Sequence, residues 1–358
     1  MKKTLLAAAL TVGFFGVAQA ETSVTLYGII DTGIGYNKVE VGDTDAKKVG
    51  LINGVQSGSR WGLKGTEDLG DGLQAVFQLE NGFDSSTGYG AQDDRMFGRH
   101  ATIGLQGDSW GRLDLGRQTN IASKYFADVA SPFGASFGQA NVGATFGSSN
   151  TVRWDNMVMY QTPNFSGFQF GVGYSFNTNG AQEWDVDGIE EDNDKGVTTG
   201  LRYANGPIGA ALTYDQVKND TVDEKVKQWN LGLSYDFEIV KLHAGFGQTR
   251  DGWIGGYSYG IAGAPTGTMY ESGRDANLYT VGLSAPLGAG KIMASWAMAD
   301  FDDNNGVDYE KQNIYSLGYT YALSKRTNVY AYGSYAKDLY GIDDTKSTAV
   351  GVGVRHQF

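Results

Sequence analysis

From residue 23 to its end the chain returns to a period of two, and that alternation limits the possible folds more than any other feature. In 24–31 one face reads Val24, Leu26, Gly28 and Ile30, while the other reads Thr25, Tyr27, Ile29 and Asp31. Leu73, Ala75, Phe77 and Leu79 alternate with Gln74, Val76, Gln78 and Glu80. Phe168, Phe170, Val172 and Tyr174 alternate with Gln169, Gly171, Gly173 and Ser175. Side chains two apart share a face of a strand, so each segment is a strand with one apolar and one polar or small-residue face. Further segments fall near 57–66, 97–106, 111–117, 150–161, 197–203, 208–217, 227–235 and 239–250, then near 274–284, 290–299, 312–321, 327–336 and 347–358. The total is about sixteen, at lengths close to the ~9 to 11 residues of a tilted membrane strand.

Composition removes the alternatives. Fifty-three Gly against five Pro disfavour long helices, because each Gly costs about 1 kcal/mol relative to Ala in a helix. A hydrophobic fraction of 41% is too low for a bundle of membrane helices, and after residue 20 no run of apolar residues is long enough to span as one. Before that point, Met1-Lys2-Lys3, a mostly apolar stretch over 5–17 and Ala18-Gln19-Ala20 form a secretory signal, so 1–20 is expected to be removed and the mature chain of 21–358 to begin at Glu21. Loss of Lys2 and Lys3 leaves 26 basic against 40 acidic side chains, a net charge of −14, which excludes a general nucleic-acid binder. With no Cys there is no disulfide framework and no thiolate metal site. No linker or composition shift marks a second domain.

The connections alternate short and long. Asn205-Gly206-Pro207 and Ser324-Lys325-Arg326 are short; 37–56, 84–96, 118–149, 177–196, 251–273 and 300–311 are long. An up-and-down barrel with tight turns at one rim and loops at the other has this rhythm. Strand number then decides which face is wet. About eight strands can fill a barrel with side chains, whereas about sixteen enclose a lumen that water must occupy. The apolar face therefore meets lipid, with Tyr36, Trp61, Tyr160, Trp229, Trp296 and Tyr319 among the candidates for interfacial girdles. The ionisable Asp31, Arg60, Lys64, Glu80, Arg112, Asp114 and Arg153 fall on the wet face. A charge on the lipid side costs roughly 2 to 4 kcal/mol at midplane, so lipid alone enforces this placement. Beyond that, Arg and Lys facing carboxylates at a constriction would set a field that filters solutes. The connection 118–149 is rich in Phe, Gly, Ala and Ser and holds one carboxylate, Asp128. Its hydrophobicity predicts a third long loop folded back into the barrel; a surface loop is the alternative.

These residues resemble the general diffusion porins of Gram-negative bacteria, in particular the β-proteobacterial and neisserial porin family. The resemblance runs along the whole mature chain and is carried most specifically by Ser23-Val24-Thr25-Leu26-Tyr27-Gly28, Ser59-Arg60-Trp61-Gly62-Leu63-Lys64-Gly65, Gly111-Arg112-Leu113-Asp114-Leu115-Gly116-Arg117 and the terminal Val354-Arg355-His356-Gln357-Phe358. It implies an all-β fold, a 16-stranded antiparallel transmembrane β-barrel of the outer membrane, usually a homotrimer, with the third long loop in the pore. It also implies that Arg60, Arg99 and Arg153 face acidic groups, Glu80 among them, at the constriction. Terminal Phe358 resembles the signal read by the outer-membrane assembly machinery. Two departures bear on selectivity: the loop is poor in carboxylates, which tilts it towards anions, and Met159 stands where a basic residue is common, which weakens that tilt. Strict alternation would put Arg99 on the lipid side, so it needs a bulge or a rim position to reach the pore.

Chemistry has little material here. His100, His243 and His356 are the only histidines, too dispersed for a triad or a zinc site, and Gly288-Ala289-Gly290-Lys291 lacks the rest of a phosphate loop. The acidic stretch from Asp300 to Gly306 departs from a calcium loop in its Gly spacing and ends on Lys311 at the twelfth place. The acidic run from Asp185 to Asp194 could bridge through cations to lipopolysaccharide. The expectation is a passive channel for small hydrophilic solutes and ions, weakly anion-selective, with no cofactor, no metal and no enzymatic activity. A substrate-selective channel, a barrel enzyme and a secreted adhesin are the alternatives.

Overall fold

The computed structural model describes residues 23–187, 191–219, 224–302 and 308–358. The expected signal peptide, part of the acidic run and most of the calcium-like loop lie outside the described residues. The strands are β1 (Ser23–Val41), β2 (Thr44–Asn53), β3 (Arg60–Gly70), β4 (Leu73–Gly82), β5 (His100–Gly107), β6 (Gly111–Thr119), β7 (Arg153–Gln161), β8 (Phe168–Ser175) and β9 (Asp194–Asn205). They continue as β10 (Ile208–Asn219), β11 (Glu224–Asp236), β12 (Lys241–Arg250), β13 (Ala276–Leu287), β14 (Gly290–Phe301), β15 (Gln312–Ala322), β16 (Thr327–Lys337) and β17 (Thr345–Gln357). Every pairing is antiparallel, and β17 returns to β1 from Ile29↔Gln357 to Val41↔Thr345. The sheet is therefore closed, which is the only way strands can satisfy all their backbone groups inside a bilayer.

These segments make sixteen staves. The first part of β1 pairs with β3, from Ser23↔Thr66 to Ile29↔Arg60, and the rest pairs with β2, from Thr32↔Asn53 to Val41↔Thr44. β2 and β3 are thus two halves of one stave, interrupted at 54–59. At one rim the turns are tight: Asp71 and Gly72 have φ of 52° and 76°, the double left-handed geometry of a type I′ hairpin. The opposite rim carries the long connections, with one correction. The expected long loop over 37–56 is instead an extended hairpin that turns at 42–43. Its charged residues hid the strands, but beyond the bilayer a strand need not be apolar; Lys38 pairs with Glu40 at 2.8 Å and across the hairpin with Asp45 at 3.0 Å.

The burial pattern inverts that of a soluble protein. Ser316 is 8% exposed and its neighbour Leu317 58%. Gln228 and Asn230 are fully buried while Leu231 and Leu233 are exposed. Apolar side chains form the outer surface and polar ones the enclosed face, as lipid outside and water inside require. Among the described residues no helix is long and apolar enough to cross a membrane.

Candidate functional site

The longest inter-strand segment, between β6 and β7, holds two short helices, α1 (Ile121–Tyr125) and α2 (Ala127–Ala130). Asn120 starts it by accepting from the Ser123 N–H at 3.2 Å, an N-cap. From there the segment runs along the enclosed face from β9 to β17. Ile121 N–H donates to Thr198 Oγ1 at 2.8 Å, Asn120 Nδ2 to Asp215 Oδ1 at 2.9 Å, and Ser148 N–H to Gln228 Oε1 at 3.1 Å. His243 Nδ1 lies 2.9 Å from Val129 O and so carries its proton there. Gln312 Nε2 donates to Ala144 O at 3.1 Å, and Gln139 exchanges bonds with Ser334 and Ser347. Glycines of the wall make room for the apolar side chains. A Cβ at Gly282 would stand 2.5 Å from the Pro132 ring, and one at Gly318 2.8 Å from Phe133. The abundance of Gly on the wall and of Phe in the segment are two sides of one packing contact.

The opposite arc of the barrel, β1 and β3–β7, carries the charges. Glu80 is 5% exposed and accepts from Arg99 Nε at 2.7 Å and from the Tyr27 hydroxyl at 2.8 Å, with Arg60 Nε at 3.7 Å. Arg99 lies just before β5, where its N–H bonds to Glu80 O at 3.1 Å; that position frees its side chain from the strand alternation. Arg153 sits within electrostatic reach of Glu80, Arg60, Arg99 and Arg117, and its Nε is buried with no protein partner among the described residues. Asp155 accepts from Arg95 Nη1 at 2.7 Å and from Arg117 Nη1 at 2.6 Å. Five guanidinium groups thus gather around two carboxylates.

The remaining predicted residues lie elsewhere. Lys64 stands 5.3 Å over the Tyr27 ring and lines a niche with Gln78, Gln106 and Arg112. Arg112 is paired bidentately with Asp114 at 2.7 and 2.8 Å. Asp31 is fully buried; its carboxylate accepts from Ser57 N–H and Tyr330 O–H, both at 2.6 Å, and so holds the 54–59 bulge inward. The same bulge meets the loop, with Gly138 N–H on Val55 O at 3.1 Å. Asp128 is on the far side, sharing a cavity with Lys241, His243 and Lys291 and with none of the arginines of the arc.

Alternation missed Arg117 because the β6–β7 register shifts between Gly116 and Gln118, a bulge that re-aims one side chain. Arg95 and Lys124 lie outside strands, where alternation says nothing. Lys124 Nζ reaches Gln118 Oε1 and Met159 Sδ, each at 3.1 Å. A cation from the loop therefore arrives beside Met159. Burial holds the Lys124 ammonium down to about 8; Asp114 pulls in the opposite direction and Arg112 adds to the lowering. No group of His, Asp and Glu able to hold a metal occurs among the described residues.

Comparison with known proteins agrees with the barrel fold. A family model described as Gram-negative porin matches residues 6–343. An outer membrane porin protein of Bordetella pertussis is 58% identical over the full length of both chains. The solved anion-selective porin from Comamonas acidovorans aligns at a TM-score of 0.74 and 30% identity, over 94% of this chain and all of that one. An outer membrane protein of Vibrio cholerae solved in a trimer form shares the fold at a TM-score of 0.63 and 14% identity, over 94% of this chain and 99% of that one.

Proposed function

The chain belongs to the Gram-negative porin family, and from that premise we propose that the charged arc and the segment facing it make this outer-membrane diffusion channel weakly anion-selective. The channel is passive: a closed barrel with a polar enclosed face supplies a hole and a field. The carrying observation is the imbalance around Glu80 and Asp155, where Arg60, Arg95, Arg99, Arg117 and Arg153 outnumber the carboxylates. Lys124 adds a further cation close to Arg112 and Asp114. A net charge of −14 on the mature chain does not oppose this, because a field falls off over a Debye length of ~8 to 10 Å and the local groups dominate. The Comamonas acidovorans porin is anion-selective.

In this reading the 120–152 segment is the in-folded loop that narrows the lumen, and its bonds to the enclosed face of β9–β17 support that role. Asp31 and Asp128 act on the loop and the bulge more than on the field. The signal over 1–20, a homotrimeric assembly, contact of the acidic loops with lipopolysaccharide, delivery by the outer-membrane assembly machinery through Phe358 and the absence of enzymatic activity complete the proposal. The test is the reversal potential across a KCl gradient in planar bilayers. Arg60→Ala and Arg153→Ala are each expected to lower the chloride-to-potassium permeability ratio; an unchanged ratio in both removes the arc from the selectivity mechanism.

A further inference from the structure

A second cavity, of about 310 Å3, opens on the long-loop side of the 120–152 segment, between the β1–β2 hairpin and the 251–275 connection. Its volume is at the small end of the roughly 300 to 1,000 Å3 typical of small-molecule sites. The connection is held inward from several sides. Asn150 Nδ2 donates to Gly256 O at 2.6 Å, and Tyr257 N–H donates to the Tyr340 hydroxyl at 2.8 Å. Trp253 stacks on Phe301 with centroids 5.6 Å apart. Arg274 lies 3.5 Å from the Tyr309 ring centroid and 4.7 Å from that of Phe301. So anchored, the connection presents Tyr257 and Tyr259 to the cavity, their rings edge to face at 5.1 Å.

Three features of the lining point to a ligand. Tyr259 is 8% exposed and its hydroxyl has no partner among the described residues, and a buried donor left unpaired costs free energy. Lys48, on the hairpin face that also carries Val39 and Ala46, lines the cavity and makes no ion pair among the described residues, whereas Lys38 on the other face is paired with Glu40 and Asp45. Among the described residues no carboxylate lines it, and Val39, Ala46 and Ile261 supply apolar surface beside the tyrosines. Gln139 at its floor is already bonded to Ser334 and Ser347.

We propose that this cavity is a binding site for small aromatic carboxylates, placed before the constriction: the ring packs on Tyr257, Tyr259 and the apolar wall, the carboxylate meets Lys48, and the Tyr259 hydroxyl donates to a carboxylate oxygen. The site deepens the anion-channel reading and rests on it. Its test is a titration of benzoate against chloride current through the purified full channel in planar bilayers, with the KCl reversal potential taken in the same membranes. Benzoate should lower the current saturably, and acetate, which has the charge without the ring, should not at equal concentration. Tyr259→Phe, which keeps the ring, and Lys48→Gln should each raise the half-effect concentration roughly five- to tenfold, the loss of one hydrogen bond or exposed ion contact. A shift in either variant supports the site. Benzoate acting no differently from acetate, or an unmoved half-effect concentration in both variants, overturns it. The reversal potential reports the arginine arc independently, so failure of this site and failure of the anion-selective reading give different results.

Discussion

Lys124 is a side chain whose charge the fold leaves open to change. Half-buried beside Met159 and held down to about 8, it is positive below that pH and neutral above it, whereas an ordinary lysine stays positive to about 10.4. The chloride-to-potassium permeability ratio is therefore expected to fall as pH rises from 7 to 9, with its midpoint near the lysine's titration. In Lys124→Met the ratio at pH 7 should already be at the lower level and the pH step absent. A step of equal size in the variant would assign the titration to another group. Sequence could bring Arg60 and Glu80 to the enclosed face, since both obey the alternation of their strands. It could not bring Arg117 there, because the glycine bulge at 116 reverses the alternation one residue earlier, nor tell that Asp31 would be consumed by Ser57 and Tyr330.

At the level of elements, the 120–152 segment and the wall beneath it fit as knobs and gaps. Gly282 faces the Pro132 ring so closely that any side chain there must move one of them, and a proline ring has no rotamer by which to yield. Gly282→Val should push the segment away from β13 and towards the arginine arc, lowering single-channel conductance while β13 keeps its place in the sheet. Unchanged conductance in a correctly folded variant would mean that the segment yields elsewhere. The Phe-rich composition gives the expectation that this segment turns inward; which staves it bonds to is not legible in the sequence, because Ile121 and Thr198, or Gln139 and Ser347, are 77 and 208 residues apart. The β1–β2 hairpin shows the converse limit. Outside the bilayer the apolar-out rule lapses, so its strands carry charges and look like a loop.

For the whole molecule the decisive event is closure. Phe358 N–H donates to Gly28 O and Gly28 N–H to Phe358 O, each at 3.1 Å, so the last residue completes the seam. A Cβ on Gly28 would meet the Phe358 ring at 2.3 Å and the Arg60 carbonyl at 2.7 Å. Gly28→Val therefore crowds the seam from both sides, at a cost of about 1 to 3 kcal/mol by the measure of overpacked sites. A smaller fraction of compact, detergent-resistant barrel is expected in a gel-mobility assay without boiling; a wild-type fraction would show that the seam relaxes. By itself the sequence determined that the chain is a barrel of about sixteen staves with a wet interior, because lipid and water act on each residue separately and leave a period-two record. Only the tertiary structure decided which charges meet, which loop residue stands behind Met159 and where tyrosines and a lysine enclose a cavity. Those outcomes depend on bulges, register and closure, which join residues hundreds of positions apart and leave no periodic trace in the chain.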